Sequence, residues 1–137
     1  MRLVIDTNIV ASAAFFGGLP EQLVNLVLDD KITAVVSKAI VDEYEKTILK
    51  LLNKYEVPAS RLHFPLSAMA AHLDFITPSS RITACTDQDD DKFIECALDG
   101  LCPLIVSGDH HLLDIKQYGY IKIVKLRNFF EDYPVYR

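Results

Sequence analysis

The stretch MRLVIDTNIVASAAFFGG, residues 1–18, sets the problem. Leu3, Val4 and Ile5 form a short apolar run of strand-forming residues. It stops at Asp6-Thr7-Asn8, and the apolar character then resumes. A carboxylate buried in such surroundings costs several kcal/mol unless it is paired or bound to a cation. So Asp6 is either exposed or has a partner elsewhere in the chain. A secretory leader does not account for the pattern, because Asp6 and Asn8 interrupt the apolar region a leader needs. No other run approaches the roughly 18 apolar residues of a membrane span. The chain is expected to be soluble and cytoplasmic. Its three cysteines, Cys85, Cys96 and Cys102, are odd in number and lack C-x-x-C spacing, so no disulfide framework is expected.

The 137 residues suit one domain, and half of them are hydrophobic, which is enough for a packed core. No linker, repeat or low-complexity segment divides the chain. The net charge of −5 argues against passive binding to nucleic acid. That argument weakens where acids are clustered to hold cations, and Asp87, Asp89, Asp90, Asp91, Glu95 and Asp99 fall within one short stretch.

Working outward from residues 1–18, strands and helices alternate. Residues 2–5 read as a strand and 7–16 as a helix ended by Gly17-Gly18. Pro20 suits the first turn of the next helix. Residues 32–36 read as a second strand. Ser37 is a candidate N-cap for a helix to about Lys54, with Ile40, Tyr44, Ile48, Leu51 and Tyr55 as its apolar stripe. Residues 58–76 read as two helical pieces broken at Pro65. Residues 82–85 read as a strand, 89–98 as a helix and Gly100 as its C-terminal cap. PLIVSGD, residues 103–109, reads as a strong strand. Residues 110–116, 121–124 and 126–133 read as helix, strand and helix. Short β-branched strands alternating with helices predict an open, mostly parallel twisted α/β sheet of four to five strands with helices on both faces. Ligands of such sheets bind outside the carboxyl ends of the strands.

The carboxylates fall on that edge. Asp6 follows the first strand, Asp109 directly follows the LIVSG strand, residues 104–108, Asp89-Asp90-Asp91 open the helix after residues 82–85, and Glu43 lies beside the apolar stripe of its helix. Four acids at one edge are the company Asp6 needs, with hard divalent cations between them. All-oxygen donor sets suit Mg²⁺ or Mn²⁺.

On these residues the chain resembles the PIN-domain family of metal-dependent ribonucleases along nearly its whole length. VIDTNIVASAAFFGGLP resembles the family's opening strand and helix. VVSKAIVDEYEKTI resembles the segment carrying the second acid, Glu43. TDQDDDKFIECA resembles the third, where an Asp stands three residues before an aliphatic or aromatic residue and seven before an Ala, which selects Asp90 (Phe93, Ala97). LIVSGDHHLL resembles the fourth, Asp109, with Ser107 two residues earlier. Residues 86–113 most resemble the subgroup of toxins from toxin–antitoxin pairs, although His110-His111 stand where that subgroup usually has Lys or another polar residue.

The resemblance implies one PIN-like domain over residues 1–137 and a metal-dependent endoribonuclease. Asp6, Glu43, Asp90 and Asp109 would be catalytic, and they and Asp91 would hold one or two Mg²⁺ or Mn²⁺ ions. Thr7, Asn8 and Ser107 would support them. RNA is the implied substrate, with products carrying 5′-phosphate and 3′-hydroxyl ends. A homodimer or an antitoxin protein is the implied partner, with no membrane. Lys46, Lys50 and Lys54 repeat every four residues on the side of Glu43, as either a solvated face or a basic track for a nucleic-acid backbone. His63, His72, His110 and His111 are expected to be surface or satisfied histidines. Two other readings are weighed. One is a non-catalytic PIN-like module that binds RNA or protein. The other is a phosphatase with an Asp nucleophile, which wants a second Asp where Asn8 stands.

Overall fold

The computed structural model describes residues 1–137. Strand β1 (Arg2–Ile5) is followed by α1 (Thr7–Phe16), α2 (Gly18–Leu28), β2 (Thr33–Val36), α3 (Lys38–Tyr55), α4 (Leu66–Ala70) and β3 (Asp74–Phe75). Then come α5 (Asp91–Asp99), β4 (Leu104–Val106), α6 (His110–Leu113), β5 (Gln117–Tyr118), β6 (Ile121–Val124) and α7 (Leu126–Asp132). The sheet order is β3-β2-β1-β4-β6-β5, parallel throughout except for the β5–β6 hairpin. The sheet thus has six strands rather than four to five, the additions being two-residue edge strands.

Burial explains the strands. Leu3, Val4, Ile5, Ile105 and Val106 are fully buried, as strands covered by helices on both faces must be. α5 packs across β1, β2, β4 and β6, while α1 packs on α2 and α3. Right-handed crossovers put these groups on opposite faces. Ser37 caps α3 as expected, its Oγ accepting from the Ile40 amide at 3.3 Å. The turn between α1 and α2 needs Gly17. Its φ is +69°, and a Cβ there would lie 2.7 Å from His63 Cε1. No single helix is long and apolar enough to cross a membrane; α1 and α2 are bent by 104° at this turn.

Three segments differ from the sequence reading. Residues 58–76 hold only a 3-10 turn at Ala59–Arg61, then α4 and β3. The helix expected at 110–116 stops at Leu113. Residues 82–85 form no strand. Their amides bond instead to α5: Ile82 to Glu95 Oε2 at 2.9 Å, and Ala84 and Cys85 to Asp91 Oδ1 at 3.1 and 2.7 Å. Ser79 and Ser80 bond the same way to Asp99 Oδ2 at 2.7 and 2.8 Å. Asp91, Glu95 and Asp99 are spaced i, i+4, i+8, one above another on a helix face. They serve this loop as a ladder of side-chain acceptors, so its donors need no neighbouring strand. At the far end of α5, Gly100 has a right-handed φ of −85°, and Leu101 takes the left-handed turn at +57°. Gly100 is required for space: a Cβ would stand 2.7 Å from the Cys96 carbonyl and from Val35 Cγ1.

Candidate metal centre

β1 lies between β2 and β4, and β2 and β4 are reached in opposite directions from it. The crevice at their carboxyl ends is the topological switch point, where open α/β sheets bind ligands. Asp6 stands at the end of β1 and its amide bonds to the Val106 carbonyl of β4 at 2.9 Å. That register sets Asp6 beside Ser107, whose hydroxyl donates to Asp6 Oδ2 at 2.6 Å. Ser107 Oγ in turn accepts from the Asp109 amide at 2.9 Å. Asp109 caps the short α6, Oδ1 accepting from the His111 amide at 2.9 Å.

Asp6 and Asp90 both occupy helix N-cap positions, yet neither makes a side-chain capping bond. Both are buried, at 4% and 9% exposure. Asp90 Oδ2 is buried without any hydrogen-bond partner. Glu43 reaches the site from the second turn of α3. Its Oε2 accepts from the Thr7 hydroxyl and its Oε1 from Lys92 Nζ at 2.7 Å. Tyr44, next along α3, is fully buried and donates from its hydroxyl to the Ile5 carbonyl at 2.5 Å, fixing α3 against the end of β1. Asn8 is exposed.

The charges are felt across the site. Burial pushes the Asp6 carboxyl above its usual range, against the Ser107 hydroxyl and the Thr7 amide; the Asp109 and Glu43 charges push the same way. Burial, then the charges of Asp109, Asp6 and Asp87, raise Asp90 to about 6. Four carboxylates, from the β1–α1 junction, α3, the turn before α5 and the β4–α6 turn, are thus near enough for Asp6 and Asp90 to feel their neighbours' charges, and Asp90 keeps an oxygen with no protein partner. An unpaired buried carboxylate oxygen costs stability, so it points to a role beyond holding the fold. The set is all oxygen, the donor chemistry that suits a hard divalent cation, although the candidate ligand atoms that lie within 4.8 Å of one another are those of Asp109, His110 and His111.

The PIN-domain profile matches residues 2–111. The chain belongs to the PIN-domain family. Uncharacterized protein MJ1680 of Methanocaldococcus jannaschii is 31% identical over 136 residues, spanning 98% of this chain and 86% of that one. No solved structure matches the chain. PIN domains are generally nucleases and typically use divalent metals. In this PIN domain the two adjacent aspartates differ: Asp91 Oδ1 is taken by the loop amides, while Asp90 Oδ2 is free.

Lys46 lines a small cavity with Glu43, Asp89 and Lys92. Lys50 and Lys54 do not converge on it. α3 begins at the carboxyl edge and runs back across the sheet, so at 1.5 Å per residue they retreat about 10 and 16 Å from Glu43. Lys92, overlooked in the sequence, is the basic residue at the centre. At 16% side-chain exposure it bridges Glu43 and Asp89, its Nζ also bonding to the Asp89 carbonyl at 3.0 Å. Burial works against its charge, but the bonds to Glu43 and Asp89 prevail and raise its pKa. In the sequence Lys92 directly follows Asp89-Asp90-Asp91, and nothing in its spacing marks it apart from a first-turn surface lysine. His110 and His111 lie against Asp109, their candidate ligand atoms all within 4.8 Å, so their expected bland role understates their proximity to the site.

Proposed function

We propose that this PIN domain is a metal-dependent endoribonuclease using Mg²⁺ or Mn²⁺. The observation that carries the reading is the unpartnered buried Asp90 Oδ2 among Asp6, Glu43 and Asp109 at the switch point. Asp6, Glu43, Asp90 and Asp109 would hold the cation, and the Ser107 and Thr7 hydroxyls orient Asp6 and Glu43. Asn8, at the rim, is available to the substrate. A bound divalent cation supplies a water of lowered pKa and charge stabilisation at a phosphodiester, so no side-chain nucleophile is required. The Asp-nucleophile phosphatase reading loses ground, because Asp6 is engaged by Ser107 and Asn8 cannot serve as its acid.

The finer proposal is a cytoplasmic toxin of a toxin–antitoxin pair, in complex with an antitoxin or as a homodimer. What supports it is the resemblance of residues 86–113 and an apolar groove of about 500 Å³ lined by Phe15, Phe16, Tyr55, Val57, Arg61 and Leu62. Phe16 there is 76% exposed. The experiment is cleavage of labelled single-stranded RNA by wild type and Asp6→Asn in Mn²⁺, Mg²⁺ or EDTA. Cleavage is expected only from wild type with metal. Equal cleavage by the variant overturns the enzyme reading.

A further inference from the structure

We propose that the cavity beside the metal centre, walled by Ser37, Lys38, Thr77, Arg81, Lys92 and Glu95, is a subsite for the phosphodiester backbone of single-stranded RNA next to the scissile bond. The inference rests on the nuclease reading and deepens it. The cavity holds about 320 Å³, room for roughly one nucleotide unit. Three cations, Lys38, Arg81 and Lys92, share its wall with one carboxylate, Glu95, in a chain whose net charge is −5, so the wall is locally positive although Lys92 is itself bridged to Glu43 and Asp89.

The place is fixed by the fold. The cavity shares Ala39 and Lys92 with the smaller one that contains Glu43 and Lys46. The smaller cavity also holds Asp42 and Asp89, so the acids gather there beside the candidate metal centre, and the positive excess is confined to the larger one. Arg81 is held in place by its neighbours: the Ser80 amide is pinned to Asp99 and the Ile82 amide to Glu95. Glu95, the acid in the wall, already accepts one of those bonds through Oε2. The Arg81 guanidinium bonds only to the adjacent Ser80 carbonyl, at 3.0 Å. Lys38 pairs only with Asp42, an exposed contact at 2.8 Å of the kind that gives way at little cost. Both are therefore available to a phosphate. The cavity lies at the N-terminal end of α3, beside Ser37 and Lys38, and Lys50 and Lys54 lie farther along that helix.

The test is fluorescence anisotropy of a labelled single-stranded RNA oligonucleotide in EDTA, from ~50 to ~200 mM salt, a range over which phosphate contacts show. Lys38→Gln and Arg81→Gln are compared with wild type and with the double variant Lys50→Gln, Lys54→Gln. Melting curves confirm that each folds. Each of the first two is expected to weaken binding several-fold and to lower the slope of log K against log salt by about 0.7, one single-strand phosphate contact. The double variant should bind as wild type does. Unchanged slopes for Lys38→Gln and Arg81→Gln overturn the subsite, as does absence of salt-dependent binding by wild type. Competition by a nucleoside 5′-monophosphate equal to that of unlabelled oligonucleotide also overturns it, since the cavity would then serve a free nucleotide. Cleavage of the same oligonucleotide by wild type in Mn²⁺ is scored separately. Normal cleavage with unchanged slopes removes the subsite alone, and altered slopes without cleavage remove the nuclease reading alone.

Discussion

The Cys85 amide donates to Asp91 Oδ1 at 2.7 Å, and this bond gives two adjacent aspartates different tasks. Asp91 faces the 79–85 loop with Glu95 and Asp99 and holds it by its amides. Asp90, one residue earlier, lies among the charges of Asp109 and Asp6 with an oxygen that nothing in the protein satisfies.

Asp91→Ala should therefore damage the fold more than the site. It strips two amides of their acceptor, Cys85 in a buried position, at a cost of about 1–3 kcal/mol. Melting should fall by several degrees, and proteolysis within residues 79–85 should quicken. Asp91→Asn, which keeps an acceptor oxygen, should fall less. Mn²⁺ affinity by calorimetry should stay within a few-fold of wild type for both; a collapse for Asp91→Asn would make Asp91 a ligand.

Ser107→Ala tests the β1–β4 link. The hydroxyl donates to Asp6 and accepts from the Asp109 amide, so both ends lose a partner at once. Asp6 is already raised by burial, and the Ser107 bond opposes that. Without it the folded pKa climbs further while the unfolded one is unchanged. The deficit relative to wild type must then grow as pH rises through the folded pKa of Asp6, reaching about 1–2 kcal/mol near neutrality. Urea denaturation at pH 4 and pH 7.5 checks the sign; a deficit equal at both would place the damage in Asp109 alone.

The central part of this fold was legible because its strands are apolar on both faces and each ends in a polar signal: Ile5 then Asp6, Val36 then Ser37, Val106 then Ser107. Asp6 and Asp109 could be placed at that edge for the same reason; Asp90 could not, because the strand expected before it at 82–85 does not form, and Glu43 is marked only by its position beside the apolar stripe of α3. The loop 79–85 was misread because Ile82 to Cys85 carry strand-like residues, and local pattern does not show where backbone donors go. The i, i+4, i+8 spacing of Asp91, Glu95 and Asp99 was present, but it reads equally as a solvated helix face. Edge strands of two residues, β3 and β5, carry too few side chains for any periodicity.

The cysteines should be inert in the native state. All three are buried, and burial pushes Cys85 and Cys96 up to about 12 and Cys102 to about 11. The thiolate is the reactive form, so alkylation by iodoacetamide at pH 8 should be negligible until denaturant is added, after which three adducts should appear by mass. Native labelling at Cys85 would show that the 79–85 loop opens on its own.

Asp90 gives the sharpest linkage between site and stability. Its folded pKa is raised to about 6, first by burial and then by the Asp109, Asp6 and Asp87 charges. Unfolded, it returns to about 4. Between these values the folded state binds the extra proton, so stability falls as pH rises from about 4 to about 6 and stays reduced above. Asp90→Asn removes a charge that makes no capping bond and has one oxygen without a partner. In EDTA at pH 7.5 the variant should melt a few degrees above wild type, from a gain on the order of 1 kcal/mol. At pH 4, where the wild-type carboxyl is protonated, that gain should vanish. Mn²⁺ should reverse the order: a cation bound only by the folded site stabilises wild type by about 2.7 kcal/mol at a hundred times its Kd. Asp90→Asn, short of one anionic donor, should gain much less and should cleave no RNA. Thermal unfolding of both proteins at the two pH values, with EDTA and with Mn²⁺, reads all of this. A variant melting well below wild type in EDTA at pH 7.5 would mean that Asp90 serves the fold, and the unpaired oxygen would lose its meaning as a ligand.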